Sequence, residues 1–222
     1  MYKHFFKRIL DILFSLFSLL VLLPLLIPVV IVLLLTGEHY IFYKQNRVGY
    51  NNKRFKIWKF ATMLKNSPNI GTGSITTRND PRVFPFGRFL RKTKLNELPQ
   101  IINVLIGDIS LIGPRPLMEV DFKKYDEEIQ NNIYNVKPGL TGIGSIIFRD
   151  EQKLISETTM PIAEYYKLYI SPYKGALELW YQKNLTFWID FKIVYLTAWV
   201  LLFSNSKLPQ KMFKGLPEKP GN

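Results

Sequence analysis

The sequence contains no cysteine, which excludes a disulfide framework, a thiol nucleophile and a thiolate metal site. Histidine is scarce too: only His4 and His39 occur, and both flank the apolar run described below. A histidine-ligated zinc centre or a histidine-based triad in the remaining chain is thereby excluded. Acidic residues are few, with 17 Asp and Glu against 30 Lys and Arg and a net charge of +13. Chemistry must then use carboxylates, lysine, arginine, hydroxyls and a hard cation such as Mg²⁺. So basic a chain seeks anions: nucleic acid, anionic lipid headgroups or phosphorylated substrates. Zinc-finger spacing, a homeodomain pattern and an aromatic RNA-binding signature are all missing, so no nucleic-acid partner is expected. No internal repeat is visible.

What is present begins with a run of 24 uncharged residues from Ile12 to Leu35, interrupted by Pro24 and Pro28. As a straight helix it would reach roughly 36 Å, enough for a hydrocarbon core of about 30 Å. Proline lacks an N–H and clashes with the carbonyl four residues earlier, so a kink or break is expected near Pro24. Each half, about 18 Å, reaches only mid-bilayer. Lys3, Lys7 and Arg8 precede the run, and Lys44, Arg47, Lys53, Arg54, Lys56 and Lys59 follow it. Basic residues near membrane segments prefer the cytoplasmic side. A re-entrant hairpin satisfies both flanks, whereas a spanning helix satisfies only one.

Further along, Tyr40–Tyr43 reads as a strand or an interfacial belt and Phe55–Phe60 as a strand, with a turn over residues 47–52. In the second strand Lys56 and Lys59 cannot both obey alternation, so one of them is expected to point somewhere special. Residues 65–82 read as a polar loop, and Phe86–Lys94 as a helix on an anionic surface. Leu98, Ile101, Ile102 and Leu105 fall at helical spacing, with Asn96 as N-cap and Gly107 as stop. A polar helix is expected over Glu119–Asn135, a strand or extended segment over Leu140–Phe148, and a short helix from Pro161 ending near Pro172. Leu185–Ser204 reads as a helix in the interface or packed on the domain, since its uncharged part is too short to span comfortably. The tail beyond Lys207, with three prolines, reads as extended.

Several residues stand out for chemistry. Asn96-Glu97 lies at an expected helix start, where backbone N–H groups favour a phosphate; a carboxylate there can hold Mg²⁺ beside a diphosphate. The plainer reading is a capping residue and a surface carboxylate. Arg115 sits between Pro114 and Pro116, so a stiff loop presents its planar fork, a shape suited to a phosphate or an ordinary ion pair. Lys59 and Arg149 are basic residues in apolar surroundings; each is a snorkelling charge or an anion ligand. Asp108, just after Gly107, holds a turn or orients a basic residue. Asp150-Glu151 reads as a solvated acidic pair.

In this order the segments resemble the small monotopic phosphoglycosyl transferases, the bacterial sugar transferase family. The resemblance runs from about residue 3 to about residue 193. It rests on Lys7-Arg8 and Asp11 before the apolar run, FKIWKFATM from Phe55, DPRVFPFGRFLRKTKLNELPQIINVLIGDISLIGPRP from Asp80 to Pro116, VKPGLTGIGS from Val136, and the ending YQKNLTFWIDFKI. It implies an α+β, mostly helical fold: a re-entrant membrane helix–break–helix over 1–38, a compact cytoplasmic catalytic domain with interfacial amphipathic helices over 39–206, and a tail over 207–222. It implies transfer of a phosphosugar from a UDP-sugar to polyprenyl (undecaprenyl) phosphate, releasing UMP and starting surface glycan synthesis at the cytoplasmic face of the inner membrane. Mg²⁺ is the implied cofactor. Membrane lipid is a further partner, and a homodimer is a candidate assembly.

Carried over residue by residue, the resemblance makes Glu97 the metal ligand and catalytic carboxylate, Arg115 a phosphate clamp, Lys59 and Arg149 anion-binding groups, and Asp108 an orienting or metal-linked acid. Two positions depart from the family pattern. Asn96-Glu97 stands where the family usually has Asp-Glu with a nucleophilic Asp. A neutral amide cannot serve as that nucleophile, so Glu97 takes over, or the lipid phosphate attacks directly, or the chain is a scaffold that binds polyprenyl phosphate or another glycan enzyme without turnover. Leu23 stands before Pro24 where the family often has Ser, whose hydroxyl satisfies a carbonyl freed at the kink. Retained transfer is the expectation, because Glu97, Asp108, Arg115 and Lys59 are all present.

Overall fold

A computed structural model describes residues 2–69, 80–149, 151, 158–203, 206 and 208–219. The chain is mostly helical with two small two-stranded sheets. It forms two compact units built from separated stretches. The larger comprises Met1–Asp11, Asn46–Phe55 and Gly107–Asn222, the smaller Ile12–Gln45 and Lys56–Ile106.

The first α-helix, α1 (Lys7–Leu35), has 29 residues, and both Pro24 and Pro28 lie inside it. The expected break into two helices is therefore absent, and helical structure continues through both prolines. Among the described residues this is the one helix long and apolar enough to cross a membrane. Leu16, Phe17, Leu20, Val21 and Leu23 are all exposed, as lipid-facing side chains would be.

In the smaller unit, Val29 and Leu33 of α1 pack with Phe60 and Leu90. Phe60 ends β2 (Arg54–Phe60), which pairs with β1 (Phe42–Val48). Leu90 belongs to α2 (Pro85–Lys92), which opens with proline in its first turn, where no N–H is needed. At Gly87 an added Cβ would come within 2.3 Å of the Thr62 carbonyl oxygen, so only glycine lets α2 lie against the chain leaving β2. Asp80 and Arg82 form a buried two-pronged pair, at 2.9 Å and 2.6 Å, and Arg82 Nη1 donates to the Ser67 carbonyl at 2.8 Å. That pair ties together the ends of the polar loop. Its central residues, 70–79, lie outside the described set.

In the larger unit, β3 (Ser110–Ile112) and β4 (Gly139–Thr141) pair in parallel, Ser110 opposite Gly139 and Ile112 opposite Thr141. Between them lie two short helices, α4 (Glu119–Phe122) and α5 (Glu127–Asn132), where one was expected. β4 leads into α6 (Ile143–Ile147), so the expected strand holds at the start of the run and a helix follows it. The helix after Pro161, α7 (Ile162–Tyr165), does not stop at Pro172. A π-turn over Tyr166–Ile170 leads straight into α8 (Ser171–Lys183), with Pro172 in the tolerated first turn. Next comes α9 (Phe187–Leu202), whose N-cap Thr186 accepts the Ile189 N–H at 3.3 Å. The tail is helical over α10 (Leu208–Met212), and Phe213 is buried against Trp180, 5.7 Å between ring centres. A segment read as extended therefore closes the core.

That core joins Ile143 and Ile146 of α6, Leu177 and Tyr181 of α8, and Ile193 and Leu196 of α9. A second cluster gathers Val48, Tyr125, Ile129, Ile133 and Tyr134. The outer side of α9 exposes Phe187, Trp188, Phe191, Val194 and Tyr195. A helix apolar on both faces suits a membrane interface better than water.

Candidate active site

The smaller unit brings together Lys59, Asn96 and Glu97. β2 alternates until its end, where Lys56 is exposed and Lys59 is half-buried. Lys59 is thus the out-of-register lysine expected from the sequence, and its Nζ lies 3.4 Å from Glu97 Oε1. Asn96 and Glu97 lie on a 3-10 turn, Leu95–Glu97, between α2 and α3 (Gln100–Ile106). The turn opens on Lys94 at φ 61°, a left-handed conformation costly for a residue with a side chain. Asn96 does not cap the following helix. Its Oδ1 is buried and has no hydrogen-bond partner among the described residues. An orphaned amide oxygen beside a carboxylate is an unmet coordination or hydrogen-bonding demand.

The residue that sets this geometry is Asn103, which the sequence reading passed over. Its side chain is fully buried. Oδ1 accepts the Trp58 N–H at 2.8 Å, and Nδ2 donates to the Lys56 carbonyl at 2.9 Å. The amide thus acts as a surrogate strand on the edge of β2 and fixes α3 against it. The signal was available: one amide inside the apolar run of α3 needs buried partners.

The larger unit holds Asp108, Arg115 and Arg149. The loop carrying Arg115 is bonded along its main chain. Gly139 N donates to the Pro114 carbonyl at 2.8 Å. Tyr134 Oη donates to the Arg115 carbonyl at 2.8 Å, and Arg47 Nη1 to the Pro116 carbonyl at 3.3 Å. The Arg115 side chain itself is exposed. A guanidinium on a loop so restrained loses little entropy when it grips an anion.

Beneath that loop lies Glu178 of α8, also unremarked in the sequence reading. It is buried and accepts backbone N–H bonds from Gly144 and Arg115. Burial pushes its carboxyl up to about 8, against those two N–H groups and the Lys174 ammonium, which pull it down. A Cβ at Gly144 would approach Glu178 Oε1 to 2.4 Å, so this glycine gives the carboxylate its room. One side chain therefore spans the Arg115 loop and the first turn of α6.

Arg149 is half-buried, and its Nη1 has no partner among the described residues. Asp150 lies outside the described residues, while Glu151 pairs with Lys174 at 2.6 Å. Asp108 is half-buried and close enough to Lys137 to act on its charge. The structure thus joins Lys59 to Glu97 within one unit. It places Asp108, Arg115 and Arg149 in the other.

Among the described residues no cluster of three Asp, Glu, His or Cys side chains forms a ready metal cage. The Glu97 carboxylate and the orphaned Asn96 Oδ1 are hard oxygen donors that fit a Mg²⁺ ion. Such an ion takes one or two protein oxygens and fills its shell with water and substrate phosphates.

Comparison with known proteins places these features. The bacterial sugar transferase family model matches residues 2–204. An undecaprenyl-phosphate galactose phosphotransferase of Salmonella typhimurium is 33% identical over 214 residues, 90% of this chain and 41% of that protein. A UDP-glucose:undecaprenyl-phosphate glucose-1-phosphate transferase of Klebsiella pneumoniae is 34% identical over 198 residues, 87% of this chain and 39% of that protein. An uncharacterised sugar transferase of Bacillus subtilis is 33% identical over 199 residues, 90% of this chain and 88% of that protein. The chain spans about two fifths of the length of the first two relatives.

Proposed function

Because this chain belongs to the bacterial sugar transferase family, we propose that it transfers a sugar 1-phosphate from a UDP-sugar to polyprenyl phosphate at a membrane surface. In the reaction a lipid phosphate oxygen forms a bond to the sugar-bearing phosphorus. The pyrophosphate bond to that phosphorus breaks and UMP leaves. The observation that carries this reading is the pairing of Lys59 with Glu97 beside the unpartnered Asn96 oxygen. It supplies a carboxylate and a neutral oxygen from one turn of chain and an ammonium from β2.

Glu97 and Asn96 Oδ1 are the oxygens that would hold a Mg²⁺ ion beside the donor diphosphate. When bound, the ion offsets the negative charge that gathers on the phosphates. Lys59 holds Glu97 in place and adds a positive charge. Arg115 clamps a phosphate from its stiff loop, and Arg149 offers a buried guanidinium nitrogen to another anion. Asp108 orients Lys137. Asn96 has no acidic oxygen with which to attack, so the phosphosugar is carried by Glu97 or passes directly to the lipid phosphate.

The location follows from α1. Basic residues flank it at both ends, and each end is packed: Lys7 and Asp11 against polar partners, Val29 and Leu33 against Phe60 and Leu90. We take this helix to enter and leave the membrane on one face, bending at Pro24 and Pro28, where backbone donors are missing; the basic flanks at both ends support that reading. The active-site residues then work at the cytoplasmic face of the inner membrane.

The test is UMP release from purified protein with Mg²⁺, polyprenyl phosphate and a panel of UDP-sugars. Glu97→Gln is expected to lose about 10²–10⁴-fold in rate, the usual worth of a positioned acid–base group. No release by the wild type across the panel, or undiminished release by the variant, overturns the assignment.

A further inference from the structure

In the larger unit the Arg115 loop and the connection from β4 to α6 are joined main chain to main chain. Gly113 N donates to the Thr141 carbonyl at 2.9 Å, and Gly139 N donates to the Pro114 carbonyl at 2.8 Å. The approach is so close that a Cβ at Gly139 would collide with Gly113 N, and one at Gly142 with the Gly113 carbonyl oxygen. Two donors at this join still need an acceptor. One is the Arg115 N–H. The other lies in the first turn of α6, whose N-cap, Gly142, has no side chain to offer.

Glu178 meets both demands from α8. Its buried carboxyl accepts the N–H of Arg115 and the N–H of Gly144, the second residue of α6. Its Oε2 has no hydrogen-bond partner among the described residues, so that oxygen can take up a proton while Oε1 stays against Gly144. The two forms differ in grip, because an ionised acceptor makes hydrogen bonds roughly twice as strong as a neutral one. The groups close enough to feel this charge are Lys174 on the same helix and the phenols of Tyr125, Tyr134 and Tyr181. Burial raises all three phenols above their ordinary range, so they stay neutral while Glu178 titrates.

We propose that Glu178 is a positioning residue for the transfer: its carboxyl fixes the loop that presents Arg115 to the first turn of α6, and fixes it more firmly when charged. The proposal rests on the reading that Arg115 clamps a substrate phosphate, and the experiment separates the two.

The test compares the full-length wild type, Glu178→Gln, Arg115→Ala and the double variant in matched micelles. Glu178→Gln keeps the shape and an acceptor oxygen and removes the charge. Above about pH 8, where the wild-type carboxyl is ionised, amide hydrogen exchange at Arg115 and Gly144 should be about fivefold faster in Glu178→Gln. The Trp58 amide, held by Asn103, should not change and controls for global unfolding. KM for the UDP-sugar should rise by a similar factor with kcat nearly constant, the mark of lost ground-state binding. Wild-type KM should fall as pH rises through about 8, and that of Glu178→Gln should not follow it. In the Arg115→Ala background Glu178→Gln should raise KM no further. Should Glu178→Gln fail to fold, the wild type alone decides: exchange at the two amides, relative to Trp58, must slow as pH rises through about 8. An unchanged KM in Arg115→Ala overturns the clamp, and the positioning role with it. With the clamp intact, unchanged exchange in Glu178→Gln, the same pH dependence of KM in both proteins, or effects of Glu178→Gln and Arg115→Ala that add in full overturn the positioning role alone.

Discussion

Lys7, the first residue of α1, is ion-paired with Asp190 of α9, and both side chains are buried. Tyr181 Oη donates to Asp190 Oδ1 at 2.7 Å, and Tyr2 Oη donates to Oδ2 at 2.7 Å. Lys7 also donates to Tyr181 Oη at 3.2 Å. Asp190 is thus the hub where the start of α1 meets the core of the larger unit. Breaking a buried pair from one side leaves an uncompensated charge. Asp190→Leu should cost about 3–5 kcal/mol. Adding Lys7→Met should recover part of that loss, because no lone charge then remains. Thermal unfolding of the single and double variants in matched micelles checks the sign of the recovery.

Asn96→Asp restores a second acidic oxygen beside Glu97. The expectation is a rise in UMP release of at least about tenfold, or 1.4 kcal/mol of barrier. A covalent phosphosugar adduct at the new Asp, trapped and detected by mass spectrometry, should accompany it. An unchanged rate without an adduct at residue 96 would leave Glu97 as the carrier, or direct transfer to the lipid phosphate, as the route.

Asn103→Leu removes two hydrogen bonds and leaves the Trp58 N–H and Lys56 carbonyl unmatched. Each orphaned group costs about 1–3 kcal/mol. Activity should fall more steeply than stability, because α3 no longer fixes the turn that carries Glu97 relative to Lys59. Comparing kcat with the unfolding midpoint separates these effects.

Glu178 gives a pH signature. Its carboxyl is raised from 4.5 to about 8 in the folded protein. Between those values the unfolded chain loses a proton that the folded chain keeps. Stability is therefore greatest below about 4.5, falls as pH rises through the window, and levels off above about 8. Glu178→Gln keeps an acceptor oxygen for the Gly144 and Arg115 N–H groups and removes the titration. Its unfolding midpoint should be flatter with pH across that window, as measured by circular dichroism.

Much of this was legible along the chain. The apolar run with its basic flanks, the alternation in β2 that left Lys59 out of register, the stop at Gly107 and the stiff loop around Arg115 are all local patterns. The family motifs joined them into one expected reaction. The misreadings were local as well. Residues 143–147 read Ile-Gly-Ser-Ile-Ile, a run too short to show a period that separates strand from helix. Asn96 was read as a cap because caps are common at helix starts, but the 3-10 turn left its oxygen unpartnered.

The sequence by itself determined which segments are greasy, which are basic, and which side chains are chemically able to hold phosphate, because those properties belong to single residues and their near neighbours. Only the tertiary structure decided that Lys7 meets Asp190, that Asn103 stands in for a strand, and that Glu178 lies under the Arg115 loop. Each depends on residues distant in the chain being buried together, and burial is what forces a polar group to choose a specific partner.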